Sequence, residues 1–289
     1  MVTTISNEKG RMNMNAARLQ DGTIIIAKDY YSENHGSEIY CMDIACGAPV
    51  HFVQEGKKVS FFKTSGKGES VHKELCAFAA KMTFERSLFK VTQFQQELKS
   101  QVEPIMVRLN TNKLDPDYVS RSVEREGSNK EVDARELKIS NESPKPPQTV
   151  SSLKSLKKLF QTADPDLLAS IFISYNGHKL PITDLISDQY IAAKKLWQGT
   201  SLNVNYFVHG EVTSIVRLDK VWYFNMGDDR FPFTLVVFEK YFEHFTYTDE
   251  DLLNRTILVM GRLKKNDYNK DKFVTEMVIK ADAYIEFLD

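Results

Sequence analysis

Three cysteines and one histidine of this chain fall in the pattern Cys41-x4-Cys46-x25-His72-x3-Cys76. Two close ligands on a turn, a hairpin-length interval and two more ligands one helical turn apart suit a tetrahedral ion in a module too small to close a core unaided. His72 and Cys76 stand at i and i+4, so a helix starting near Ser70 would aim both at one point. Cys46-Gly47-Ala48-Pro49 reads as a turn that lets the chain reverse. Cys3His is a closed ligand set that leaves no position for water, so the ion expected is a structural Zn2+ on Cys41, Cys46, His72 and Cys76. The same cysteines also admit core thiols packed as small hydrophobes, or a reactive thiol. The polar and small residues between Cys41 and Cys46 favour metal.

Catalytic constellations are otherwise sparse. There is no Walker-type glycine loop, no His-Glu-x-x-His and no nucleophile elbow. A metal-dependent nuclease needs clustered carboxylates near a lysine; Glu136-Leu137-Lys138 has a suitable spacing but falls in a predicted linker. The chain reads as non-enzymatic.

At 289 residues the chain is long enough for two or three folding units. A formal net charge of −1 carries no whole-chain electrostatic signature, so any polyanion-binding surface must be local. No apolar run approaches the roughly 20 residues of a membrane span, and Met1 to Arg11 is polar without a signal-peptide core. The expected location is cytoplasmic, with no membrane partner, and an odd cysteine count at metal-like spacing fits a reducing compartment.

The elements that must position these residues give a multidomain α+β chain. Residues 1–20 read as a flexible arm. Residues 21–102 read as a zinc-stapled module: a strand at Thr23–Ala27, a β-hairpin of Val50–Val53 and Val59–Phe62 joined by Gln54–Lys58, and a helix from about Ser70 to Gln101. That helix would bury Leu75, Phe78, Ala79, Met82, Leu88 and Phe89. Residues 103–150, with Ser143-Pro144-Lys145-Pro146-Pro147, read as a linker. Residues 151–200 read as a helical segment: Ser151–Gln161, a helix following Asp164-Pro165-Asp166, and Ile182–Gln198. From residue 201 to 289 five β segments follow: Tyr206–Val216, Val221–Met226, Phe231–Phe238, Ile257–Leu263 and Phe273–Ile279. One helical stretch, Glu239–Asn254, lies between the third and fourth. That order is the order of a five-stranded OB-fold β-barrel.

Gly210-Glu211-Val212, the aromatic Tyr223-Phe224 strand closing in Gly227-Asp228, and Val259-x-Gly261 followed by a basic loop resemble the OB domains of the exodeoxyribonuclease VII large subunit and of class II aminoacyl-tRNA synthetases. They are also similar to the OB domain found beside bacterial thermonuclease-like domains. The resemblance implies a nucleic-acid-binding barrel, with single-stranded DNA or RNA as partner. On that reading Trp222, Phe224 and Met226 fill the barrel, while Val221, Tyr223 and Asn225 lie outside, where Tyr223 would stack a base. Arg217, Lys220, Arg262, Lys264, Lys265, Lys270 and Lys272 would meet phosphates. Against this, residues 201–289 hold 11 Lys plus Arg and 15 Asp plus Glu, a net of −4. An interaction adaptor that binds a protein partner is therefore the alternative, and a nuclease accessory subunit a third. The N-terminal string Glu69-Ser70-Val71-His72 is similar to a motif of competence-associated CoiA-like proteins, whose paired ribbon cysteines and His-Phe-Ala-His pattern are absent here.

Overall fold

The computed structural model describes residues 13–54, 59–98, 103–119, 149–175, 178–227, 231–266 and 273–289. They form a mixed α+β chain with several sheets and few helices, divided into two compact units. The first is drawn from Met1–Val107 and Lys158–Ile173, the second from Arg108–Leu137, Thr149–Lys157 and Ser174–Asp289.

The first unit opens with β1 (Ala16–Leu19), β2 (Ile24–Ile26), the short α1 (Ser32–His35), β3 (Ile39–Cys41), β4 (Pro49–Val53) and β5 (Phe61–Lys63). These strands form one antiparallel sheet in the order β2-β1-β3-β4-β5. Paired bonds of 2.9 and 2.8 Å between Met14 and Phe62 bring β5 back to the residue ahead of β1. Part of the expected arm is thus sheet: Met14, Ala16 and Ala17 are fully buried, and β1 sits between two partners because its small, apolar start fits the core. Tyr30, Phe52 and Phe62 pack ring on ring at 5.0–5.7 Å beneath it.

α2 (Phe84–Leu98) begins fourteen residues later than the sequence pattern predicts. Its buried stripe is Phe84, Leu88, Val91, Phe94 and Leu98, a period near 3.6. That phase turns Phe89 outward, 61 % exposed, and leaves Leu75 outside any helix, 68 % exposed. Phe78 stacks on Phe94 at 5.7 Å, and Phe84 packs on Phe160 at 5.3 Å.

Next come β6 (Ile105–Leu109), β7 (Thr149–Val150), α3 (Leu153–Thr162), α4 (Pro165–Leu168), β8 (Ile171–Tyr175), β9 (His178–Pro181), β10 (Ile186–Asp188) and α5 (Gln189–Trp197). The stretches expected as linker and helical segment therefore contain strands as well as helices; residues 120–148 lie outside the described residues. In the first unit β6 runs parallel to β8, and α2 packs on α4. Buried Asp166 of α4 accepts the N–H groups of Asn15 and Ala16 at 2.5 and 2.9 Å, fixing the start of β1. Such bonds meet the rule that a buried carboxylate needs donors. Asp164 beside it is also buried; desolvation, then the Asp166 charge, raises its carboxyl to about 8.

The second unit is built on β11 (Asn205–Arg217), β12 (Val221–Met226), β13 (Phe233–Phe238), the short α6 (Asp249–Leu252), β14 (Thr256–Lys265), β15 (Thr275–Val278) and β16 (Ile285–Phe287). The ladder runs β11-β12-β13-β15-β14, and β14 pairs back onto β11, so five strands close a ring. Closure works because the two longest strands change partners midway. β11 pairs with β14 over Asn205–Glu211 and with β12 beyond a bulge at Val212/Ser214; β14 leaves β11 at Arg262 and takes β15 from Leu263. Glycines sit at the changeovers. A Cβ on Gly261 would lie 2.5 Å from Met277 Cγ and 3.2 Å from the Val278 carbonyl oxygen, so the backbone approach there requires glycine.

Phe224, Met226, Phe233, Leu235, Val237, Leu258, Met260 and Met277 are buried along the strands of this ring. The stretch expected as a helix at Glu239–Asn254 is instead a 3-10 turn, Glu239–His244, followed by α6. α5, which precedes the ring in sequence, packs on β11, β13 and β14. Asp115 and Asp117 grip Lys280 at 2.7–2.9 Å, and the Tyr241 hydroxyl donates to Asp117, tying residues 112–119 to the ring. No helix among the described residues is long and apolar enough to cross a membrane.

Candidate metal centre and candidate nucleic-acid interface

The four metal-type residues are brought together. Cys41 ends β3, Cys46 lies in the turn before β4, and His72 and Cys76 lie in the irregular stretch between β5 and α2. The expected helix under His72 and Cys76 is absent, for a physical reason. The N–H groups there are taken outside an α-helical ladder: Ala77 donates to the distant Asp43 carboxylate at 2.9 Å, Phe78 to Cys76 Sγ at 3.4 Å, and Cys76 and Ala79 to carbonyls three residues back. Cys76, Ala77 and Phe78 are buried in succession, which no helical face allows. Ser70 docks the loop by donating to the Pro49 carbonyl at 2.8 Å.

Cys41 Sγ lies 3.6 Å from Cys76 Sγ, and His72 Nδ1 lies 3.5 Å from Cys46 Sγ and 3.3 Å from Cys76 Sγ. All four ligand atoms fall within 4.8 Å of one another. Ligands at ordinary zinc distances around a tetrahedron stand about 3.5–3.8 Å apart, so the cluster fits such an ion with little adjustment. Hydrogen bonding with Cys41 lowers the Cys46 and Cys76 thiols. The Cys41 thiol, bonded to Cys46 and Cys76 and buried, is pushed up. Burial opposes the charged form of His72, but bonds to Cys76 and Cys46 outweigh it and raise the imidazole. All three cysteines are buried and His72 is half-buried.

One supporting residue escaped the sequence reading. Asp43, almost wholly buried, lies between Cys41 and Cys46. Its carboxylate accepts the N–H groups of Ala45 and Ala77 and meets Lys90 Nζ of α2 at 2.9 Å; its carbonyl accepts from Cys46 N–H at 2.8 Å. It thus joins both ligand-bearing loops to one cation. An aspartate inside a Cys-x4-Cys loop was the available signal.

On the ring, three cross-strand rows line the outer face. Lys264, Glu276, Thr234, Asn225 and Ser214 stand side by side over five strands. Asn225 is engaged there, donating to Ser214 Oγ and accepting from Thr234 Oγ1, both at 2.9 Å. The next row is Val278, Val236, Tyr223 and Val216. Tyr223 is half-buried in it and Val216 exposed. In the third row Val221 faces Phe238, 46 % exposed, which the sequence reading did not single out although the β13 alternation places it on this face.

Trp222, expected inside the barrel, is only half-buried: Phe242 of the 3-10 turn stacks on its ring at 3.9 Å, and the Arg217 guanidinium lies 4.2 Å from it. It sits at the strand's start, where the wall meets that turn. Arg217 also pairs with Asp249 at 2.6 Å and donates to the Tyr247 carbonyl. Lys220, Lys264 and Lys265 are exposed, and Arg262 is exposed with a 3.4 Å bond to Asn203. Lys270, Lys272 and Glu136 lie outside the described residues.

No family profile matches the chain, and no curated protein matches it. Among solved structures it is similar to an aspartyl-tRNA synthetase of Leishmania major (9 % identity, TM-score 0.24, 33 % of this chain and 20 % of that one). It is also similar to the aspartyl-tRNA synthetase of Entamoeba histolytica (8 %, 0.22, 30 % and 19 %) and to that organism's asparaginyl-tRNA synthetase (13 %, 0.22, 30 % and 21 %). The chain spans about a fifth of each of those proteins, and likeness at this level carries no function across.

Proposed function

We propose that this is a non-catalytic nucleic-acid-binding protein: an OB-type barrel that holds single-stranded DNA or RNA, and a first unit kept folded by Zn2+ on Cys41, Cys46, His72 and Cys76. The observation that carries the reading is the partly exposed edge of the ring's outer face, where Val216 and Phe238 are exposed and Val221 and Tyr223 half-buried, while Val236 between them is covered. There Tyr223 stands among Val216, Val221 and Phe238, while Lys220, Arg262 and Lys264 supply exposed cations; Lys265 points instead to Trp197. An aromatic on an open sheet face stacks any base, and cations at the rim neutralise the phosphates that follow it. Arg217 and Asn225, tied up in protein bonds, shape the face more than they contact the strand.

Fluorescence anisotropy of a labelled single-stranded oligonucleotide with the full chain, at low and moderate salt, tests this. Affinity should fall steeply with salt, and Tyr223→Ala should weaken it by roughly five- to a hundredfold. A second reading, a protein-interaction adaptor, is favoured by one observation: the unit is net acidic while Val216, Leu218 and Phe238 are exposed. Absence of oligonucleotide binding at low salt would transfer the face to that role. Equal amounts of zinc and protein in metal analysis of the purified chain are expected; none would return the cysteines to core thiols.

A further inference from the structure

α5 lies against the ring on Gln189, Ala192, Ala193 and Leu196; the two alanines are fully buried, and their small size lets the helix sit close. Tyr190, Lys194 and Trp197 stand at i, i+4 and i+7 on one flank of the helix, and the outer two are about 10 Å apart along the axis. Each aromatic is met by a phenylalanine just ahead of a ring strand. Phe231, before β13, meets Tyr190 at 5.1 Å and 84°; Phe273, before β15, meets Trp197 at 5.0 Å and 72°. β13 and β15 are parallel neighbours with Phe233 opposite Thr275, so the two phenylalanines come up side by side. Trp197 is steadied by its Nε1–H donating to Thr275 Oγ1 at 3.1 Å.

Edge-on pairs leave ring faces uncovered, and here they do: Phe273 is 58 % exposed and Tyr190 41 %. Cations border the row. Lys265 Nζ lies 4.9 Å from the Trp197 ring, and Lys194 is exposed on the same flank of α5. The neighbouring carboxylate of Glu276 is held by Asn266 at 2.6 Å.

We propose that this row, Tyr190, Phe231, Phe273 and Trp197 with Lys265, is a second base-stacking subsite for single-stranded nucleic acid, separate from the Tyr223 face. The inference rests on the reading of the ring as a single-strand-binding module. The occupant follows from the combination observed: two exposed aromatics, Tyr190 and Phe273, each edge-paired with a half-buried ring, and a cation over the Trp197 ring match bases followed by a phosphate.

The chain has two tryptophans, Trp197 and Trp222, so in the full-length Trp222→Phe protein the tryptophan emission reports Trp197 alone. Titration with unlabelled oligothymidylate should quench that emission along the same curve as the anisotropy change of labelled oligonucleotide. Phe273→Ala, at an exposed position, should weaken binding at least about fivefold in the otherwise unaltered protein. Lys265→Gln should lower the slope of affinity against salt. Binding that is lost on Tyr223→Ala yet leaves Trp197 emission and the Phe273→Ala affinity unchanged would overturn this subsite while sparing the proposed function. Absence of all binding would overturn both.

Discussion

The sheet of the first unit and the ring of the second reach closure by opposite means. β1 to β5 are three to five residues long, whereas β11 runs for 13 and β14 for 10. Long strands that exchange partners satisfy their own backbone, and the ring needs no side chain to shut it. Short strands cannot do this. The first unit relies on side-chain ties across loops: the Cys/His cluster, the Asp43–Lys90 pair and the Asp166 bonds to Asn15 and Ala16. Chemistry has become architecture in one unit, and architecture leaves side chains free for chemistry in the other.

On the proposed reading of the Cys/His cluster as a zinc centre, the contrast should break most visibly when its ligands are removed. Cys76→Ser, or a strong chelator, removes a contribution on the order of 10 kcal/mol in zinc-folded peptides. Hydrogen exchange followed by mass spectrometry should show β3 to β5 losing protection while β11 to β14 keep theirs; equal loss in both would dissolve the distinction. Next in size is Asp43→Ala, which strands Lys90 and two N–H groups and should cost about 3–5 kcal/mol in denaturant unfolding. Gly261→Val probes the ring from its own side. Crowding Met277 and the Val278 carbonyl should cost about 1–3 kcal/mol. At Gly210, by contrast, the obstacles are the side-chain ends of Gln189 and Met226, so Gly210→Ala should cost less.

The last test sharpens the comparison through pH. Asp164 holds its proton in the folded state up to about pH 8, against 3.8 for an ordinary aspartate. A carboxyl raised on folding stabilises below its unfolded value and loses that contribution as pH climbs toward the folded value. Asp164→Asn, neutral at every pH, should match the parent below about pH 4 and become increasingly the more stable of the two as pH rises toward 8. A constant difference across that range would remove Asp164 as the source.

Legibility in sequence followed the same divide. β12 spans the expected Val221–Met226, because its residues alternate between two turns and the alternation is itself the structure. The four zinc-type residues were legible from spacing, yet the loop carrying His72 and Cys76 was not. There Asp43, forty-odd residues upstream of the helix it meets, takes the N–H that a helix would have used. Propensity yields to such partners, and nothing local in Ser70–Met82 announces them. The aromatic row was equally hidden: Tyr190, Trp197, Phe231 and Phe273 become neighbours only through the β13–β15 register.

The Asp166 bond to Asn15 spans 151 positions, and that length has a meaning for synthesis. At ordinary elongation rates roughly 8–30 s separate the emergence of the two residues from the ribosome. Cys41 to Cys76 are out well before then. A metal ion captured early would hold the nascent sheet together while it waits for α4 and β8, so zinc starvation during translation should harm this protein more than zinc withdrawal afterwards.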